Sequence, residues 1–220
     1  ITMDEKTDGN MNIAMGSVLS IWHDYREAGS EDPDSAELPP MDELERAAEH
    51  TDIHNIDIDE EASTVYLTDP DMSLDVGSIG KGYAVQKVAE YAKNELGIQY
   101  MLFSVGGNVC AIGGHPDGSS WAVGIQNPDV ESDQAYIKKV EVRDLSVVTS
   151  GNYQRYYTVD GKRYCHIINQ DTLMPADNFS SVTIITNDSG MADAYSTAIF
   201  NMPLAEGMEF VNQLDGVEAM

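Results

Sequence analysis

Leu74-Asp75-Val76-Gly77-Ser78-Ile79-Gly80-Lys81-Gly82-Tyr83 joins a strand-like segment to a strongly periodic helix through three glycines and one lysine. The first N–H groups of a helix lack intrahelical acceptors and carry partial positive charge, so anions are attracted wherever small residues permit close approach. Gly77, Gly80 and Gly82 supply that room, and Lys81 adds a mobile cation. The spacing is not that of a Walker A loop, which needs four residues between Gly and Gly-Lys and then Ser or Thr, and it is not GxGxxG. Two readings stay open on these residues alone, a phosphate cradle and a plain glycine-rich connection.

Downstream, Val85, Val88, Ala89, Ala92 and Leu96 recur at helical spacing, and Gly97 provides the stop. Strands then follow one another: a buried one over Gln99 to Val105, a break at Gly106-Gly107, Val109 to Ile112, Trp121 to Gln126, Tyr136 to Val142 and Leu145 to Thr149. Tyr156 to Val159, a turn at Asp160-Gly161 and Arg163 to Ile168 predict a hairpin. Ser181 to Thr186 reads as a strand, Met191 to Phe200 as a helix, and Pro203 to Leu214 as a last helix. Upstream, Met11 to Trp22 is mixed apolar, Ala28 to Pro40 reads as a loop, and a short helix runs from Pro40 to about His50 with acidic residues in its first turn. Ile53, Ile56 and Ile58 pair by pattern with Thr64 to Leu67 as a hairpin, and Leu74 ends a third extended piece. Strands with a few helices, rather than strict βαβ alternation, predict an α+β fold with mainly antiparallel sheet and packed helices. The whole of 1–220 reads as one domain with room for two subdomains, and no internal repeat is present.

The composition narrows the function classes. Lys and Arg number 12 against 38 Asp and Glu, giving a formal net charge of −26. That balance argues against nucleic-acid or anionic-membrane surfaces and for a soluble chain with solvated acidic faces. Cys110 and Cys165 stand far apart with no metal-ligand spacing and read as buried thiols, a single disulfide between them staying open. No apolar run approaches the about 20 residues needed to span a bilayer. The opening Ile1-Thr2-Met3-Asp4-Glu5 has neither a basic region nor an apolar signal core, and both ends read as missing further sequence.

Two more segments carry chemistry. In Ala192-Asp193-Ala194-Tyr195-Ser196-Thr197, Asp193 and Thr197 stand four apart on a predicted helix and share a face. A carboxylate with a hydroxyl suits Mg²⁺ bound jointly with a substrate phosphate, although an Asp near a helix start also serves simply to offset the dipole. Gly151-Asn152-Tyr153-Gln154-Arg155-Tyr156-Tyr157 and Asp160 to Asn169 concentrate aromatic, basic and histidine residues on a hairpin, where His166 by itself reads as a core histidine. His23, His50, His54 and His115 form no metal-ligand spacing.

Taken in order, Leu74 to Val85, Ser104-Val105-Gly106-Gly107-Asn108, Thr149 to Tyr153, Gly161 to Asn169 and Ala192 to Ala198 resemble the FAD:protein FMN transferase (ApbE) family. The resemblance begins near Thr7, where Asp8-Gly9-Asn10-Met11-Asn12 is similar to that family's Asp-Gly-Ala-Phe-Asp segment, and runs nearly to the end. The family's N-terminal part, with its signal or lipoprotein region and an early flavin-contacting segment, is absent from these residues.

The resemblance implies an ApbE-like fold and Mg²⁺-dependent cleavage of FAD, with FMN passed through a phosphoester to a Thr or Ser of an acceptor protein and AMP released. It implies as partner an acceptor flavoprotein, a membrane-associated redox subunit, and an extracytoplasmic location, periplasmic or lipoprotein-anchored. By motif, Asp75, Lys81, Ile168, Met11, Asn12 and Ile13 match flavin-contacting positions, with Asn12 in place of the usual Asp. Ser78 occupies the position whose backbone carbonyl ligates Mg²⁺, Asp193 and Thr197 match side-chain ligands, and Ser196 lies where some members have a further acidic ligand. His166 becomes the expected general base or acceptor-orienting group. Two other outcomes stay open: a flavin-binding protein without catalysis, for which Asn12 and Ser196 speak, and an FAD pyrophosphatase yielding FMN and AMP.

Overall fold

A computed structural model describes all of residues 1–220. In chain order come α1 (Thr2–Lys6), α2 (Gly16–Glu31), α3 (Met41–Ala48), β1 (Ile56–Asp59), β2 (Thr64–Leu67), α4 (Gly80–Asn94), β3 (Met101–Val105) and β4 (Asn108–Ile112). They are followed by β5 (Trp121–Gln126), β6 (Tyr136–Val142), β7 (Ser146–Gly151), β8 (Tyr156–Val159), β9 (Lys162–Cys165), β10 (Ser181–Thr186), α5 (Ser189–Asn201), α6 (Leu204–Asn212) and β11 (Glu218–Ala219). The chain divides into two compact units: one contains residues 1–76 and 155–176, the other residues 77–154 and 177–220. All strand pairings between these elements are antiparallel, as the α+β reading expects.

In the first unit, Val18 and Trp22 lie four apart on α2 and bury one stripe of that helix. They pack with Met15, Leu44, Tyr157, Ile168 and Leu173 in one apolar cluster. Trp22 buries its ring without stranding its polar edge, because Nε1–H donates to the Leu173 carbonyl at 2.8 Å. A satellite cluster of Ala14, Ile53, Ile56 and Met72 lies beneath the β1–β2 hairpin. The loop expected from Ala28 is helical as far as Glu31, since the stripe of α2 carries the helix past the small residues Ala28, Gly29 and Ser30 before Asp32-Pro33 ends it. Leu74 lies in non-repetitive backbone rather than a strand; the Asp75 N–H bonds the Ile13 carbonyl at 2.8 Å, and no strand ladder forms. The hairpin β8–β9 forms as predicted but ends at Cys165; Ile168 instead makes an isolated bridge with Pro175.

The second unit is built on a five-stranded sheet ordered β11-β10-β7-β4-β3. Alternation along β4 separates its faces: Cys110 and Ile112 pack against Val85, Ala89 and Ala92 of α4, whereas Ala111 packs with Val123, Ile125, Val142 and Val147 of the β5–β6 hairpin and β7. Helix α5 lies along α4, β7 and β10. Strand β3 is at the sheet edge, which explains why the segment expected to be buried leaves Leu102 and Val105 exposed while Met101 and Phe103 alone turn to the core. Both cysteines are buried thiols. No helix is long and apolar enough to cross a membrane.

Candidate functional site

The glycine segment delivers the first turn of α4 to a carboxylate from another helix. Asp193, only 3% exposed, accepts the Gly82 N–H on Oδ2 at 2.8 Å. Lys81 closes on the same carboxylate, its Nζ 3.0 Å from Oδ1 and 3.2 Å from Oδ2. The donor at the helix start is thus satisfied by the protein's own anion, and the lysine neutralises a charge that is expensive to bury alone. The Lys81 side chain remains 36% exposed, so part of the cation faces outward.

This contact explains Gly82. A Cβ there would stand 2.2 Å from the Ser189 carbonyl oxygen and 2.6 Å from the Asp193 Cβ, so only glycine lets α4 and α5 approach this closely. Helix α5 is held in register by its own cap, Asp188 accepting the Met191 N–H at 2.9 Å, and by Gln86 of α4, whose Oε1 accepts the Ser189 N–H at 2.9 Å. Small residues Ala192, Ala194 and Ala198, all fully buried, allow α5 to be enclosed by its neighbours.

One turn beyond Asp193, a group of hydroxyls faces β7. Ser150 Oγ lies 2.8 Å from Ser196 Oγ and 3.4 Å from Thr197 Oγ1. The Ser196 hydroxyl donates to the Asp193 carbonyl at 2.9 Å, which leaves Ser150 to donate to Ser196. Beside them sits the tip of the β3–β4 hairpin: Gly106 and Gly107 both have positive φ, a Cβ on Gly106 would stand 3.8 Å from Lys81 Cδ, and the Gly107 carbonyl accepts the Thr149 N–H at 3.3 Å. Tyr153 follows on the same segment, and burial pushes its phenol up, so it stays a protonated donor.

Of the residues marked on sequence, Lys81, Asp193, Ser196 and Thr197 therefore come together in the second unit. Ser78 lies in that unit too, half-buried in the turn that leads into α4. The others lie in the first unit. There the Asp75 N–H bonds the Ile13 carbonyl, and the Asn12 side chain accepts the Ala14 N–H at 2.7 Å while donating to the Thr51 carbonyl at 3.0 Å. Met11 is 4% exposed, and Ile168 belongs to the apolar cluster around Trp22. The His166 N–H bonds the Arg155 carbonyl at 3.1 Å, and its ring is half-buried. Sequence reasoning gave no role to Ser150 or Gln86, because the first is placed by strand pairing and the second by helix contact, neither of which has a local signature. His50, set aside on spacing, is hydrogen-bonded through Nδ1 to Asp69 at 2.8 Å.

The donors around Asp193 are hard oxygens, one carboxylate and several hydroxyls, a set suited to a hard divalent cation shared with phosphate oxygens. Oδ1 of Asp193 accepts only from Lys81 and keeps a second lone pair, whereas Oδ2 accepts from both the Gly82 N–H and Lys81. Lys81 supplies the local positive charge that an anionic ligand needs in a chain of net charge −26.

Comparison with known proteins agrees with that chemistry. A FAD:protein FMN transferase of Klebsiella pneumoniae (strain 342) is 32% identical over 214 residues, covering 97% of this chain and 63% of the relative. Another from Treponema pallidum (strain Nichols) is 33% identical over 230 residues, covering 98% and 61%. The crystal structure of the ApbE protein of Thermotoga maritima MSB8 superimposes with a TM-score of 0.84 at 31% identity, covering 99% of this chain and 68% of that one. This chain thus spans less than two thirds of the curated relatives it matches. With the ApbE family model matching residues 1–220 from end to end, the chain belongs to the ApbE family.

Proposed function

We propose that this chain carries the FAD-cleaving site of an FAD:protein FMN transferase. The observation that carries the reading is the Lys81–Asp193–Gly82 constellation with the Ser150, Ser196 and Thr197 hydroxyls beside it. The reaction joins the hydroxyl oxygen of an acceptor Thr or Ser to the FMN-side phosphorus, breaks the pyrophosphate bond, and releases AMP with the bridging oxygen. Such transfers depend on positioning and charge stabilisation more than on covalent catalysis by the protein.

Asp193, Thr197 and the Ser78 carbonyl are assigned to hold Mg²⁺, with Ser196 available beside them. When bound, the ion supplies charge stabilisation to the pyrophosphate oxygens. Lys81 binds the anionic substrate electrostatically and orients the Asp193 carboxylate. Asp75, Met11, Asn12, Ile13 and Ile168 are assigned to the flavin-bearing substrate, and His166 Nδ1 or Nε2 to the proton leaving the acceptor hydroxyl. The family reading also assigns the acceptor to a membrane-associated redox subunit and the reaction to an extracytoplasmic compartment.

Incubation of the protein with FAD, Mg²⁺ and a peptide bearing a Thr in a flavinylation sequence, read by mass spectrometry, tests this. Equal yields of AMP and flavin phosphoester on the peptide are expected. Free FMN without acceptor identifies a pyrophosphatase, and bound FAD with no AMP identifies a binding protein; either result overturns the transferase reading.

A further inference from the structure

Asn108 begins β4 at the tip of the β3–β4 hairpin, is 1% exposed, and its Nδ2 donor meets no acceptor in the protein. A buried N–H donor without an acceptor costs stability, and an acceptor from outside the chain removes that cost. Its position says which. Asn108 pairs with Val148 of β7 and shares the sheet face of Cys110, the face that packs on α4. Just before it in the chain, Gly106 approaches the Lys81 side chain, and Gly107 bonds Thr149, the residue preceding Ser150. The amide therefore stands at the end of the sheet where Lys81, Asp193 and the Ser150 hydroxyl gather.

We propose that Asn108 contacts the ligand: its carboxamide Nδ2 donates to a non-bridging phosphate oxygen of the bound pyrophosphate. The inference deepens the FAD reading and rests on it for the identity of that pyrophosphate. Gly106 and Gly107, which precede the amide in the chain, add no side chain at the tip. A neutral donor suits this place, because Lys81 already offsets Asp193 and a second buried charge would need its own partner.

The test is calorimetric binding of inorganic pyrophosphate and of FAD to the wild type, Asn108→Leu and Asn108→Asp, with thermal unfolding of each. Asn108→Leu keeps the branched outline and the number of heavy atoms while removing the donor, so both ligands bind about tenfold more weakly in the folded variant. Asn108→Asp weakens binding further, and added salt reduces that excess. Asn108→Ser, smaller and neutral, serves in place of either variant that fails to fold and shows the same weakening. Unchanged pyrophosphate binding in folded variants overturns the proposal and leaves the amide to a buried water. Should the wild type bind pyrophosphate but not FAD, and the variants weaken it, the phosphate contact stands and the FAD reading falls; a wild type that binds neither overturns both.

Discussion

The Asp193 carboxylate caps helix α4 from outside that helix, accepting the Gly82 N–H at 2.8 Å while Lys81 holds it at 3.0 Å and 3.2 Å. A buried carboxylate with these two partners is stable; with one removed it is not. Lys81→Met leaves the charge enclosed and is expected to cost about 3 kcal/mol in urea unfolding. Adding Asp193→Asn removes that charge yet keeps an acceptor for Gly82, so the double variant recovers part of the loss. If the double variant equals the sum of the singles, the two side chains are not energetically coupled.

Gly82 is the place where the two helices meet. Gly82→Ala puts a methyl group 2.2 Å from the Ser189 carbonyl oxygen, a contact with backbone that no rotamer change relieves. Forcing α4 from α5 is expected to cost roughly 2–3 kcal/mol, against the gain of about 1 kcal/mol that Gly→Ala brings at an unhindered helix position. Denaturant midpoints decide it: a stabilised Gly82→Ala variant contradicts the close approach.

The same glycine shows what the sequence made legible. Three glycines before a periodic helix and the Asp193/Thr197 spacing are local patterns, and the fold brings Lys81, Gly82 and Asp193 together. On sequence the glycines fit either a phosphate cradle or a plain connection; in the structure the Gly82 N–H meets the Asp193 carboxylate and the missing side chain lets α4 approach α5. Local pattern identifies a helix start without saying what approaches it. Strand β3 teaches the same point: its apolar run predicted burial, but sheet order puts it at the edge. Ser150 and Asn108 acquire meaning only from strand register, which pairs Ser150 with Val182 and Asn108 with Val148. Helix α2 was obscured by Gly and Ser near its end, although its buried stripe, Val18 and Trp22, has the helical period.

In the first unit, His50 and Asp69 make a pH-dependent tie between the end of α3 and the segment after β2. The Asp69 bond holds the imidazole above its ordinary 6.5, with Asp71 and Glu49 acting in the same direction against a smaller opposing effect of desolvation. The same bond, with the Asp71 N–H, holds Asp69 below its ordinary 3.8. A raised histidine pKa stabilises the fold below the unfolded value, and that contribution vanishes as pH rises through the folded one. A lowered aspartate pKa stabilises above its unfolded value and is lost as pH falls through the folded one. The tie is therefore strongest between roughly pH 4 and pH 6.5. Unfolding of the wild type and His50→Gln across pH is expected to differ most in that window and less on either side; a constant difference refutes the tie.

Ser150 links β7 to α5 through the Ser196 hydroxyl. Since Ser196 spends its hydrogen on the Asp193 carbonyl at 2.9 Å, the 2.8 Å contact with Ser150 uses the Ser150 hydrogen and leaves the Ser150 lone pairs toward Thr197. Ser150→Ala strands the Ser196 oxygen and frees Thr197, costing about 1 kcal/mol of stability. If Thr197 is oriented by this chain, Ser150→Ala also lowers the rate of AMP release from FAD, and in a Thr197→Ala background it lowers that rate much less. Such non-additivity, measured as a double-mutant cycle on the rate alongside the same cycle on unfolding, separates an orienting role from simple loss of packing. Equal rate effects of Ser150→Ala in both backgrounds refute the orientation of Thr197 by Ser150.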